Sequence, residues 1–229
     1  MKYLITGSSR GIGKEILKKL LEDDHEVISI SRSKTIINDL PESKRLMWFE
    51  LLGDLLDEKI HQSLIAKLNE WKKLDSLINN AGYLINKPFE ELSYKDVKDS
   101  FDLNYYAPLR ISQIAIPYLQ KSEKASLINI GSIGGVQGSI KFPGLAAYSS
   151  SKGALAILTE CLAEEYKDTA IHFNCLALGA VQTEMLAKAF PGYQAPFNPD
   201  QMADFILNFI QKSAAMMNGK IISVSASTP

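Results

Sequence analysis

At 229 residues, with 46% apolar and 22% charged side chains, the chain has the composition of one large folded domain with a substantial core. A formal net charge of -1 and the lack of a basic block argue against nucleic acid as the main partner. No apolar run approaches the roughly 18 to 20 residues that span a bilayer, and three scattered histidines (His25, His61, His172) make a metal site improbable.

The first apolar run, Tyr3-Leu4-Ile5, reads as a strand, and Thr6-Gly7-Ser8-Ser9-Arg10-Gly11-Ile12-Gly13 follows it. From Ile12 onward, apolar residues recur at helical spacing at Ile16, Leu17, Leu20 and Leu21. Gly7 and Gly11 let the backbone bend and approach a ligand closely, and Gly13 lets the helix pack tightly on the strand. The helix N-terminus then offers free N–H groups to a diphosphate, so Ser9, Arg10 and Ile12 join the three glycines as candidate cofactor contacts. The spacing is G-x-x-x-G-x-G, not G-x-G-x-x-G. Taken alone, it also fits a glycine-rich surface turn.

Further strands are predicted at Glu26–Ser31, Leu46–Leu51, Ser76–Asn79, Ser126–Ile130, Ile171–Leu176 and Lys220–Val224. Helical stretches lie between them at Asp57–Trp71, Ser93–Leu103, Ala107–Leu119, Tyr148–Tyr166 and Pro199–Lys212. Strands alternating with helices imply an α/β protein with a parallel sheet covered on both faces, and no linker or repeat divides residues 1–229. In such sheets a ligand sits at the carboxyl ends of the strands, so the residues just after each strand carry the functional signal.

After the second strand, Ser31-Arg32-Ser33-Lys34 offers no acid to accept hydrogen bonds from an adenosine ribose. It supplies Arg32 instead, with Arg10 nearby in the glycine turn. Two guanidinium groups suit a 2′-phosphate, which favours NADP over NAD, although both arginines also fit a simple solvated surface. After the third strand, Asp54 and Leu55 stand at the expected adenine edge; Asp54 either accepts from the adenine amino group or caps the next helix. Asn80-Ala81-Gly82 follows the fourth strand, small residues where a chain passes close to a flat ligand.

Ser132 follows the fifth strand, and Tyr148-Ser149-Ser150-Ser151-Lys152 opens the next long helix, so Tyr148 and Lys152 share one helix face. Reducing a carbonyl by hydride needs a proton donor at the oxygen, and a free tyrosine has a pKa near 10. A neighbouring ammonium favours the phenolate; a shift of about two to three units corresponds to roughly 3 to 4 kcal/mol.

These residues together resemble the short-chain dehydrogenase/reductase family, from Tyr3 to about Val224. The likeness rests on Thr6-Gly7-x-x-x-Gly11-x-Gly13, Asn79-Asn80-Ala81-Gly82, Asn104, Ser132 and Tyr148-x-x-x-Lys152. It implies a single Rossmann-type domain with a seven-stranded parallel sheet and helices on both faces. It implies Tyr148 as general acid/base, Lys152 lowering its pKa and holding the nicotinamide ribose, and Ser132 bonding the substrate oxygen. By the same likeness Asn104 holds a water that links Lys152 to solvent, and Gly179, Val181 and Thr183 meet the nicotinamide and diphosphate. Two departures stand out: Leu178 replaces the proline usual before Gly179, and the Ser132–Tyr148 segment is about three residues longer, with Ile140–Pro143 as the insertion.

The segment between Thr183 and Pro199 carries Met185, Leu186, Phe190, Tyr193 and Phe197, and reads either as an apolar lid or as core packing. As a lid, it implies a small-molecule substrate with an apolar body and a carbonyl or secondary alcohol. Cys161 and Cys175 lie in apolar surroundings and are expected as buried thiols. The helix after Tyr148 is apolar around much of its circumference, and the family likeness pairs it with its copy in a homodimer or homotetramer. A strand starting within two residues of Met1 leaves no room for a leader, which suits a cytoplasmic protein. Two functions follow: an NADP-dependent oxidoreductase, or a non-catalytic NADP-binding redox sensor on the same fold. The intact tyrosine and lysine favour the enzyme.

Overall fold

In the computed structural model, seven short apolar segments pair into one all-parallel sheet in the order β3-β2-β1-β4-β5-β6-β7. They are β1 (Lys2–Thr6), β2 (Glu26–Ser31), β3 (Trp48–Leu52), β4 (Ser76–Asn79), β5 (Ala125–Ser132), β6 (Ile171–Leu178) and β7 (Lys220–Val224). The structure describes residues 1–38 and 40–226; residues 39 and 227–229 of the 1–229 reading lie outside the described residues.

β1 is the pivot. Leu4 sits in register with Ile28 on one side and Leu77 on the other. The chain builds outward from β1 through β2 to β3, then returns and builds the other way from β4. Order therefore reverses between β1 and β4, where the carboxyl ends splay apart and open a crevice for a ligand.

Both faces are covered. α1 (Gly11–Glu22) and α8 (Pro199–Asn208) pack on one face, where Ile16, Leu20, Ile206 and Leu207 join Ile5 and Ile128 in one apolar cluster. α3 (Glu58–Trp71) and α5 (Ala107–Leu119) cover the other, with Leu64, Leu68, Ile111 and Ala115 against Leu4 and Leu127. Leu4, Leu64 and Ile111 are fully buried, and each such side chain contributes about 1.5–3 kcal/mol by leaving water. Central strands buried on both faces need continuous apolar runs, as β1 shows.

Local chemistry sets the element ends. Asp57 accepts from the Lys59 amide at 2.9 Å to start α3, and Lys72 ends it in the left-handed region at φ 64°. Ser93 and Asp96 form a capping box at the head of α4 (Tyr94–Phe101). β3 starts at Trp48 rather than Leu46, because a short helix, α2 (Glu42–Arg45), precedes it and leaves Leu46 exposed. β5 and β6 each run two residues further than the periodicity indicates, to Ser132 and Leu178.

α4 and α5 are one helical rod. They join through a π-helical turn, Asp102–Tyr106, which buries Asn104. Pro108 has no N–H to donate to the Asn104 carbonyl in α register, and the wider turn accommodates that loss. Two helices follow later, α6 (Ala146–Glu165) and α7 (Glu184–Ala189). No helix among the described residues is long and apolar enough to cross a membrane.

One expectation fails. Cys175 is buried, but Cys161 is exposed. It lies one turn beyond Ile157, itself 58% exposed, on the outer stripe of α6. The apolar neighbours in sequence belong to different faces of the helix.

Candidate active site

A cavity of about 570 Å³ opens at the carboxyl ends of the strands, across the reversal between β1 and β4. Every sequence-predicted site residue except Asn104 lines it. Asn104 is fully buried behind the wall.

The glycine turn forms one end. Gly7 has φ +73°, which an L side chain rarely adopts, and a Cβ there would lie 2.7 Å from Ala81 Cα. A Cβ on Gly13 would collide with the Gly7 carbonyl and the Asn80 amide. Asn80 holds the turn from below, its Nδ2 donating to the Thr6 and Gly7 carbonyls at 3.0 and 3.1 Å. The Thr6 hydroxyl accepts from the Asn80 and Ala81 amides, both at 3.1 Å. Asn80 therefore acts on the turn itself, a role that the sequence does not announce.

α1 begins at Arg10 with no side-chain cap and no acid in its first turn, whereas α3, α4 and α8 are each capped. Its first-turn amides face the cavity without a protein partner of that kind, which is the donor set a diphosphate requires. The residues present thus fit a nicotinamide dinucleotide.

At the ribose end the two arginines part company. Arg32 is exposed on the turn shaped by the Ser31 hydroxyl, which donates to the Ser33 carbonyl at 2.7 Å. Arg10 is paired: its Nη1 lies 2.9 Å from Glu184 Oε2. Asp54 accepts from the Leu56 amide at 2.9 Å and so shapes its own loop, while Asp57 supplies the helix cap. The sequence gives no sign of the support beneath this loop. His61, almost wholly buried, contacts the Leu55 carbonyl through Nε2 at 2.8 Å.

The other end holds the reactive side chains. α6 presents Tyr148 and Lys152 one turn apart, and Ser132 closes β5 opposite them. Ser132 stands beside the Tyr148 hydroxyl, where it favours the phenolate, and its oxygen accepts from the Gly134 amide at 3.3 Å. Lys152 is buried and its Nζ donates to the Ile130 carbonyl at 2.7 Å. Burial pushes the Tyr148 phenol above its ordinary value, against the lowering influence of Ser132. Burial also pulls Lys152 down to about 8, with Cys175 acting the other way. Desolvation and Ser132, rather than Lys152, therefore set the direction for the phenol in the absence of cofactor.

Asn104 is spoken for. Its Nδ2 donates to the Tyr83 carbonyl at 2.8 Å and to Ser151 Oγ at 2.9 Å, and its Oδ1 accepts from the Tyr83 amide at 2.8 Å. A Cβ on Gly82 would lie 3.4 Å from Asn104 Oδ1 and 3.6 Å from Lys152 Nζ, so the three meet at one point.

Leu178 continues β6, in register with Ser132 and Val224, and the Gly179 amide donates to the Val224 carbonyl at 2.8 Å. The strand ladder therefore fixes the loop without a proline. Beyond it, Met185, Leu186 and Phe190 line the cavity, whereas Phe197 packs on the core beside Val181. The segment divides between lid and core. Phe142, from the insertion, meets Phe190 edge-on at 6.1 Å, and Asn86 Nδ2 ties the segment down through the Ala189 carbonyl at 2.8 Å. The mouth on this side is apolar, walled by Leu84, Phe142, Leu145 and Met185.

Comparisons with known proteins identify the family. A family model for short chain dehydrogenases matches residues 2–194. A tropinone reductase homolog from Datura stramonium is 31% identical over 196 residues, covering 82% of this chain and 71% of that protein. Among solved structures, a 4-hydroxyisoleucine dehydrogenase complexed with NADH aligns with TM-score 0.81 and 27% identity over 97% of this chain and 96% of the other. ElxO with NADP bound aligns with TM-score 0.84 and 27% identity over the same shares. A glycine turn at the sheet's reversal point, a serine ending β5 and a Tyr–Lys pair on α6 coincide with a match across most of the sequence, and the chain belongs to the short chain dehydrogenase family of oxidoreductases.

Proposed function

We propose that the protein is an NADP-dependent oxidoreductase acting on a small molecule with an apolar body and a carbonyl or secondary alcohol. The observation that carries this reading is the convergence of Ser132, Tyr148 and Lys152 on one cavity beside its apolar mouth, with Lys152 one turn from Tyr148 on the same helix. When bound, the nicotinamide supplies the hydride and, once oxidised, a positive ring.

The chain's own residues do the rest. Tyr148 gives its proton to the substrate oxygen as negative charge builds there, and Ser132 donates a second hydrogen bond to the same atom. Lys152, charged below about pH 8, stabilises the phenolate left behind. Asn104 clamps the Tyr83 backbone, so the water expected in the relay falls to its main-chain carbonyl. Leu84, Phe142 and Met185 exclude solvent and hold the apolar body. The reading also carries a homo-oligomer, because α6 and the π-helical turn leave Ile157 and Tyr106 more than half exposed.

A panel of apolar ketones and secondary alcohols, followed at the nicotinamide absorbance band, tests the activity, and no turnover with any would favour the redox sensor. In the same assay Arg32→Asp tests the cofactor. Removing charged hydrogen bonds to a 2′-phosphate costs roughly 10- to 100-fold in kcat/KM for NADPH, with less than about threefold for NADH. Equal losses would contradict the assignment to NADP.

A further inference from the structure

Arg10 and Glu184 stand on opposite sides of the cavity mouth. Arg10 ends the glycine turn; Glu184 opens α7, which carries Met185 and Leu186 over the substrate side. The two are 174 residues apart in sequence, yet Arg10 Nη1 lies 2.9 Å from Glu184 Oε2, with both side chains more than half exposed. Both line the cavity. The pair joins the nucleotide turn directly to the lid. No ion pair to Arg32 forms among the described residues.

Arg10 is also one of the two cations assigned above to the 2′-phosphate, and the next step rests on that reading. A guanidinium has several N–H donors but only one positive charge. A phosphate arriving at Arg10 either displaces the Glu184 carboxylate or settles beside it with its own charge of nearly -2. Either way the cost falls on the phosphorylated ribose. NADH presents a neutral hydroxyl at that place and bears no such cost.

We propose that Glu184 is a specificity-determining residue: it competes for Arg10 and tempers the preference for NADPH, and NADPH frees the lid helix by drawing Arg10 away. The pair is solvent-exposed, so the effect is modest, and its signature is that it acts on one cofactor only.

Glu184→Gln keeps the side chain's shape and removes its charge at an exposed position. Cofactor titration at fixed salt is expected to show NADPH binding about three- to tenfold tighter and NADH changed by less than about twofold. In an Arg10→Gln background the same substitution is expected to have no effect on NADPH, because the partner is gone. Hydrogen exchange reads the lid: in the native protein the amides of Glu184–Ala189 exchange faster with NADPH bound than with NADH, and in Glu184→Gln the two complexes match. Equal tightening of both cofactors, no tightening, an effect that persists without Arg10, or lid exchange indifferent to cofactor would each overturn the inference. If Arg32→Asp behaves as expected while Glu184→Gln is silent, this inference alone fails. If Arg32→Asp weakens both cofactors equally, the NADP reading fails with it.

Discussion

Tyr148→Phe is expected to lower kcat by roughly 10²–10⁴-fold, the usual worth of a positioned general acid, while cofactor affinity changes by less than about threefold. The reasoning is local. Phenylalanine keeps the ring at the cavity wall and removes only the hydroxyl, on the wall that Ser132 shares. The glycine turn, Arg32 and the Gly179–Thr183 loop are untouched, so nucleotide binding has no reason to change. Burial has already raised the phenol above its ordinary value, which makes it a proton donor throughout the neutral range. Steady-state kinetics with a cofactor titration on the same sample separates the two effects. A variant that turns over normally would remove Tyr148 from the chemistry; one that loses cofactor and turnover together would make it a binding residue instead.

The second large effect belongs to Gly13→Ala. The added methyl meets the Gly7 carbonyl and the Asn80 amide, and neither can retreat. The Gly7 amide is bonded to the Ile30 carbonyl at 2.8 Å, and Asn80 is bonded to both Thr6 and Gly7. α1 must therefore tilt away from β1, and the amides that would meet a diphosphate go with it. Overpacking of this kind costs about 1–3 kcal/mol, and a chain this long loses about 2–4 °C of Tm per kcal/mol. Nucleotide affinity is expected to fall by more than about 100-fold, since the whole donor set moves. Gly138→Ala is the control for a glycine lost away from any close approach. Gly138 has positive φ, at +76°, which Gly13 inside α1 does not, and nothing lies within 4 Å of its added methyl. It should cost about 1–2 kcal/mol through conformation alone and leave nucleotide binding intact. Thermal unfolding with and without cofactor distinguishes the pair, and equal binding losses in both variants would show that general destabilisation, not the close approach at Gly13, governs nucleotide binding.

What the sequence reveals here is what local spacing controls. Tyr148 and Lys152 share a face because four residues nearly complete a helical turn, and Gly7, Gly11 and Gly13 sit where strand passes into helix. β2, β4 and β7 end where their apolar runs end. What it hides is set by the partner that tertiary structure brings. Arg10 and Arg32 read alike in the chain, yet only Arg10 meets Glu184, which lies on an element from the far end of the fold. Asn80 reads as lining and proves to be a brace for the glycine turn; His61 reads as a stray histidine and supports Leu55. Cys161 looks buried because Leu162 and Ala163 follow it, but neighbours in sequence point to different sides of a helix. Leu178 departs from the family's proline, and the ladder between β6 and β7 supplies the rigidity in its place.

The central claim is that Tyr148 and Ser132 meet one substrate oxygen while Lys152 stands behind the phenol. A crystal structure of the protein with NADP and a secondary alcohol that it turns over tests this most directly. Tyr148 Oη and Ser132 Oγ are expected within about 2.6–3.2 Å of the alcohol oxygen, on the side where its carbon faces the nicotinamide. A bound alcohol whose oxygen is held by other groups, with Tyr148 Oη beyond reach, would contradict it.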